Sequence, residues 1–184
     1  MNTLILYDSQ FGNTEQLARS VADKLAGYGT VRLLRVPEGG AFERSEADML
    51  IVGGPTQRHR TSQAMRAFLE SIPRRALDGQ AAAAFDTRYH VSAFVSGSAA
   101  SRIAAGLKRA GASLVVPPES FFVAKTDGPL EQGEIERAGE WAEQIYAAFE
   151  ASKNTPAEES RSQTSVSLDG QMALKQARTH CRRK

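Results

Sequence analysis

Tyr7-Asp8-Ser9-Gln10-Phe11-Gly12-Asn13-Thr14 is the stretch on which the reading of this chain turns. It follows the apolar run Leu4-Ile5-Leu6 and opens a helical pattern from about Glu15. That order spells a strand, a tight loop and a helix N-terminus. The loop is rich in small hydroxyl and amide side chains, holds one glycine and carries no Lys or Arg. It can still hold a phosphate, because successive backbone N–H groups can face one concavity with the positive end of the helix dipole behind them. Ser9, Asn13 and Thr14 add side-chain donors, and Gly12 lets the backbone approach a ligand with no Cβ in the way. The plainer reading is an ordinary strand-to-helix turn with Ser9 or Asn13 as the N-cap. Two sharper readings fail on spacing: there is no G-x-G-x-x-G dinucleotide fingerprint and no G-K-[ST] of a nucleoside-triphosphate loop.

The rest of the chain repeats the same unit. Residues 3–7 read as a buried strand, and Leu17, Ala18, Val21 and Leu25 recur at helical spacing over residues 14–27, ending at Gly27 or Gly29. Val31 to Val36 gives a second strand, stopped by Pro37. Asp48 to Val52 gives a third, running into a turn at Gly53-Gly54-Pro55-Thr56. A helix is expected from Ser62 to about Ser71, closed by Pro73. A fourth strand covers Ala81 to Phe85 and runs into a loop, Asp86-Thr87-Arg88-Tyr89-His90. Ser98 to Ala110 is helical, and Ser113 to Val123 holds a fifth strand with an interruption at Pro117-Pro118. A last helix spans about Glu131 to Phe149. Short strands alternating with longer helices are the βαβ rhythm of a parallel sheet covered on both faces, an α/β fold in three layers.

Ser9-Gln10-Phe11-Gly12-Asn13-Thr14 at the end of the first strand resembles the FMN-phosphate loop of the flavodoxin-like family, with its pattern [TS]-x-[TFYW]-G-x-[TI]. Ala84-Phe85-Asp86-Thr87-Arg88, Gly128-Pro129-Leu130, Gly133-Glu134, Glu136-Arg137-Ala138 and Trp141-Ala142 resemble a subgroup of small bacterial members. The likeness covers about residues 3 to 149. It implies a doubly wound, five-stranded parallel sheet in the order 2-1-3-4-5, of which flavodoxin is the type example, with FMN where the winding reverses. It also implies cofactor contacts at Ser9, Gln10, Phe11, Gly12, Asn13 and Thr14, at Pro55, Thr56, Gln57 and Arg58, and at Asp86, Thr87, Arg88 and Tyr89. Pro55 and Thr56 would cover one side of the flavin ring, Tyr89 or His90 would stack on it, and Asp86 and Thr87 would meet its pyrimidine edge. Trp141 reads as core packing, and Glu134, Glu136 and Arg137 as pairs on a helix surface.

One departure concerns charge. Many flavodoxins are strongly acidic around the flavin, whereas here Arg58, His59 and Arg60 crowd the second loop and Arg88 the third. A cation beside the reduced ring stabilises its negative charge, and about 1.4 kcal/mol of that preference shifts the equilibrium tenfold. A midpoint potential less negative than in low-potential flavodoxins is the expectation. No residue need act as an acid or base, since the flavin carries the chemistry. The expected function is electron transfer to or from a redox protein or a small-molecule acceptor. The alternatives are an NAD(P)H-dependent oxidoreductase acting on a quinone or porphyrin-type substrate, and a partner-binding module that has lost its flavin.

Composition narrows the classes further. The chain has 184 residues and a formal net charge of +2. Lys and Arg less Asp and Glu gives 16 − 18 = −2 over residues 1–150 and 7 − 3 = +4 over 151–184. Nothing resembles a nucleic-acid-binding stripe, no apolar run is long enough to span a membrane, and no signal peptide is visible. Cys181 is the single cysteine, which fits a reducing cytoplasm. Residues 1–150 read as the folded domain and 151–184 as a disordered basic tail.

Overall fold

The structure, a computed structural model, describes residues 1–36, 46–57, 60–89, 98–125 and 127–154. The near-continuous apolar runs become the central strands. β1 (Thr3–Tyr7) lies between β2 (Val31–Arg35) and β3 (Met49–Pro55), and β4 (Ala81–Tyr89) follows on the far side of β3. The fifth position is shared by two pieces, β5 (Ser113–Leu114) and β6 (Glu119–Val123), both paired with β4. Every pairing is parallel and the order is the expected 2-1-3-4-5. The break between β5 and β6 contains Pro117-Pro118, where two missing N–H groups cannot serve a ladder.

Among the described residues four α-helices cover the sheet: α1 (Asn13–Leu25), α2 (Gln63–Ser71), α3 (Ala99–Arg109) and α4 (Glu134–Asn154). Alternate strand residues supply two cores. Ile5, Ile51 and Phe85 meet Leu17 and Val21 of α1 and Trp141 and Ile145 of α4. Leu50, Val52, Ala82 and Ala84 meet Met65 and Phe68 of α2 and Ile103 and Leu107 of α3. Trp141 is a core residue, packed edge-on against Phe85 and Phe121.

Four expectations change. First, Gly53-Gly54-Pro55 is not a turn but the end of β3, in register with Phe85-Asp86-Thr87. The glycine is there for space, since a Cβ on Gly53 would lie 2.1 Å from Phe85 Cζ. Second, Asp86 to Tyr89 is not a loop but the end of β4, paired with Ser120 to Val123 of β6. Third, α4 starts at Glu134, inside the expected start at about Glu131, and runs to Asn154, past the expected end at Phe149. Fourth, Glu134 and Arg137 are not surface pairs: Glu134 is buried and its Oε2 accepts from the Phe122 backbone N–H at 2.8 Å. The Arg137 guanidinium donates to Glu134, to Glu119 at 2.6 Å and to the Ser120 carbonyl at 2.6 Å, and lies 4.4 Å from the centre of the Phe121 ring. Burial opposes that charge, but the bonds from Glu134 and Glu119 outweigh it and raise the arginine pKa above its ordinary value. The network ties the edge strand β6 to α4, and the backbone of Glu131, bonded to the Phe122 carbonyl, covers the outer edge of β6 as well.

Met1–Glu150 form one unit and Ala151–Lys184 a second, of which only residues 151–154 are described. The expectation of a disordered tail falls on residues outside the described set.

Candidate functional site

Parallel strands deliver their carboxyl ends to one edge of the sheet, and there a cavity of about 650 Å³ opens. It is walled by Ser9, Gln10, Phe11, Asn13 and Thr14 after β1, by Pro55, Thr56, Gln57, Arg60 and Thr61 at and after β3, by Thr87, Arg88 and Tyr89 on β4, and by Val123 at the end of β6. Three segments far apart in the chain, with Val123 beside them, thus meet on one space.

The first segment is held from two sides. Arg35, at the end of β2 and opposite Tyr7, donates to the Ser9 carbonyl at 2.6 Å and lies 3.8 Å from Asp8. The Asn13 side-chain amide donates to the Asp127 carbonyl at 3.2 Å, and Gly128 packs so closely on it that a Cβ there would lie 2.6 Å from Asn13 Oδ1. Neither Ser9 nor Asn13 caps α1. The cap is Gly12, in the left-handed region at φ 86°, and its N–H is bonded to Ser9 Oγ at 3.0 Å. No side chain caps α1, in contrast to α2 and α3, where Ser62 accepts from the Met65 N–H and Ser98 from the Ser101 N–H. The helix whose first residues, Asn13 and Thr14, line the cavity thus opens with no side-chain acceptor for its first-turn N–H groups.

The second and third segments are locked together. The Thr56 N–H donates to the Thr87 carbonyl at 2.8 Å. Gln57 and Arg60 exchange two backbone bonds, of 2.7 and 2.8 Å, and the Gln57 side-chain amide donates to Gln10 across the mouth. Thr14 Oγ1 and Thr87 Oγ1 lie 2.9 Å apart in the wall. Two hydroxyls sharing one hydrogen bond leave a second O–H for a ligand oxygen.

Of the residues expected at a cofactor, Ser9, Gln10, Phe11, Asn13, Thr14, Pro55, Thr56, Gln57, Thr87, Arg88 and Tyr89 line the cavity. Gly12 sets the turn without lining it. Arg58 lies outside the described residues, as do His59 and His90. Asp86 is a correction of position: it is fully buried behind the wall. Its Oδ2 accepts from Thr56 Oγ1 at 2.8 Å, Ser98 Oγ at 3.0 Å and the Ala100 N–H at 2.9 Å, and Thr56 Oγ1 accepts in turn from the Ala99 N–H. The carboxylate fastens the second segment to the start of α3 instead of facing the cavity. Thr61, Val123 and the clamp from Arg35 were not read from the sequence. The sheet order itself carried the signal for Val123 and Arg35, since both stand at strand ends on the ligand-binding edge.

The electrostatics are one-sided. Among the described lining residues there are two arginines and no carboxylate. The apolar lining includes Phe11 and Tyr89, 50% and 41% exposed, so the mouth presents two aromatic faces.

Residues 4–100 match the family described as "Flavodoxin domain". The chain belongs to the flavodoxin family. No curated protein sequence matches it significantly, but solved structures do. Flavodoxin 2 from Bacillus cereus superposes with a TM-score of 0.68 at 21% identity, covering 80% of this chain and 99% of that one. The flavodoxin of Streptococcus pneumoniae TIGR4 gives 0.65 at 24%, covering 80% and 99%. Rubredoxin oxygen:oxidoreductase from Desulfovibrio gigas gives 0.59 at 18%, covering 84% of this chain and 37% of that chain. At these identities the likeness is one of fold. Flavodoxins as a family bind a flavin, as a rule FMN. In this flavodoxin domain the cavity stands at the point where the sheet's winding reverses, between β1 and β3.

Proposed function

We propose that this flavodoxin domain binds FMN and carries electrons between redox partners. The observation that carries the reading is the uncapped start of α1 facing a cavity whose described lining holds arginines and no acid. A dianionic phosphate supplies the acceptor those N–H groups lack, and the helix dipole and the hydroxyls of Ser9 and Thr14 favour it further. The residues present fit the group. Gly12 leaves open space above the loop, with no atom within 4 Å of where its Cβ would stand, so a ligand can approach the backbone there. The cavity volume falls in the range of about 300–1,000 Å³ usual for small-molecule sites.

The cofactor supplies one- and two-electron chemistry when bound; the chain binds, orients and tunes it. Ser9 to Thr14 would hold the phosphate. Phe11, Pro55 and Tyr89 offer flat surfaces to the ring, and the backbone and hydroxyl groups of Thr56 and Thr87 offer partners to its polar edges. Asp86 acts at one remove by fixing Thr56. Arg60, exposed at the mouth, places a positive charge there, which supports a midpoint potential above that of low-potential flavodoxins. The carrier reading is favoured over an NAD(P)H-dependent quinone or porphyrin-type oxidoreductase by size. The likeness takes in 80% of this chain and 98–99% of small flavodoxins, so the shared body is that of a small flavodoxin. Among the described residues no helix is long and apolar enough to cross a membrane. A single thiol supports a reducing cytoplasm as the setting.

A visible spectrum of the purified protein after addition of FMN and removal of the excess, followed by mixing with NADPH and a quinone, tests this. Retained flavin bands that NADPH bleaches slowly are the expected result. Rapid NADPH oxidation with quinone turnover makes the protein a reductase, and a colourless protein removes both readings in favour of a partner-binding module.

A further inference from the structure

Arg60 and Thr61 line the cavity mouth and also a second groove, of about 420 Å³, that runs along α2 and α3. Among its described lining residues the other cations are Arg66 on α2 and Arg102 and Arg109 on α3, and the one acid is Glu70. Four guanidinium groups face one carboxylate, on a body whose sequence charge over residues 1–150 is negative (16 − 18 = −2). The floor explains why they gather. Gly106 lets the helices close together, since a Cβ there would lie 3.1 Å from Leu69 Cδ2. Arg109 is pinned by donating to the Leu69 carbonyl at 2.5 Å. Arg60, Arg66 and Arg102 are exposed, and among the described residues none of them forms an ion pair.

The contrast with the other side of the sheet is the telling point. A groove between α1 and α4 mixes Arg19 and Lys24 with Asp23, Glu136 and Glu140, and its cations are paired, Arg19 with Glu15 and Lys24 with Glu143. The arginines of the α2–α3 groove are thus a local charge separation, not the general texture of the surface.

We propose that the α2–α3 groove is the docking surface for an acidic protein partner. Planar guanidinium forks on exposed helix turns match surface carboxylates in geometry as well as charge, and arginine is the cation that protein interfaces favour. Because the groove shares Arg60 and Thr61 with the cavity mouth, a partner seated there borders whatever the cavity holds. The inference rests on the redox reading of that cavity for its purpose, but not for its chemistry.

The test uses the full chain, with and without FMN, and two probe proteins, an acidic [2Fe–2S] ferredoxin and a basic c-type cytochrome. Affinities are measured by calorimetry at low salt and at about 0.2 M, where screening shortens the reach of exposed charges to under about 10 Å. The variants are R66E/R102E and the milder R66Q/R102Q, so a folding defect in the first does not decide the matter. The ferredoxin is expected to bind, the cytochrome to bind at least about tenfold more weakly, and the charge reversal to cost the ferredoxin about tenfold or more while leaving the cytochrome no weaker. Salt should erase most of the difference. Residues 151–184 stay intact in every arm, so differences between variants report the groove. A ferredoxin that does not bind at low salt, or whose affinity changes by less than about twofold in both variants, overturns the proposal. A protein that retains no flavin but loses ferredoxin on charge reversal overturns the reading of the cavity and leaves the surface standing.

Discussion

At the scale of single residues, two glycines show two different reasons for having no side chain. Gly12 sits at φ 86° with open space where a Cβ would go, so its constraint is conformational. Gly12→Val is expected to cost about 1–2 kcal/mol in denaturant unfolding, the penalty of a left-handed L-residue, and to weaken FMN because the loop relaxes. Gly53 has an ordinary backbone but no room, with the Phe85 ring 2.1 Å from the missing Cβ. Gly53→Ala should cost about 1–3 kcal/mol by overpacking, and Gly53→Ala with Phe85→Leu should recover part of it, a non-additivity that a double-mutant cycle reads directly. Asp86 was legible as a site residue only in part. Its type and place in the chain pointed to the sheet edge, but its burial did not, because the three donors to its Oδ2 come from Thr56, Ser98 and Ala100. A polar residue reads as a loop unless its partners are known. Asp86→Ala should cost about 2 kcal/mol or more by orphaning those donors, and should move the FMN dissociation constant through Thr56.

At the scale of elements, the strands and helices were visible wherever apolar residues repeat at one period. That covers β1, α1, the middle of β3, and the α3 run from Ser98 to Ala110. The ends were not, since β3 and β4 extend into Gly-Gly-Pro and Asp-Thr-Arg-Tyr because neighbouring strands supply ladder partners there. The Glu134–Arg137 pair reads as an ordinary i, i+3 surface pair until β6 is seen beside it, with Phe122 N–H and Glu119 as further partners. Arg137→Ala should therefore do more than remove a surface charge. It leaves Glu134 buried with fewer bonds, and a loss of about 1.5–3 kcal/mol is expected, the range for hydrogen bonds to charged groups. Faster amide exchange confined to β6 and the start of α4 is the signature, and a loss spread over the whole sheet would contradict this account of the edge.

For the whole molecule, the claim is that the sheet edge gathers three segments around one anion-accepting helix start, and that folding and ligand binding are linked through it. FMN at about 100 times its dissociation constant should add about 2.7 kcal/mol of stability and raise the Tm by several degrees. We also propose that residues 155–184 are dispensable for this. A chain ending at Asn154, the last residue of α4, should keep the same FMN affinity and the same stabilisation. The most direct test of the central claim is a comparison of FMN with riboflavin, which has the same ring and no phosphate, by quenching of flavin fluorescence on titration with the protein. The expected result is FMN bound and riboflavin weaker by about tenfold or more, with high inorganic phosphate competing against FMN only. Equal affinity for the two, or no quenching by either, would contradict the account of α1 as the phosphate site.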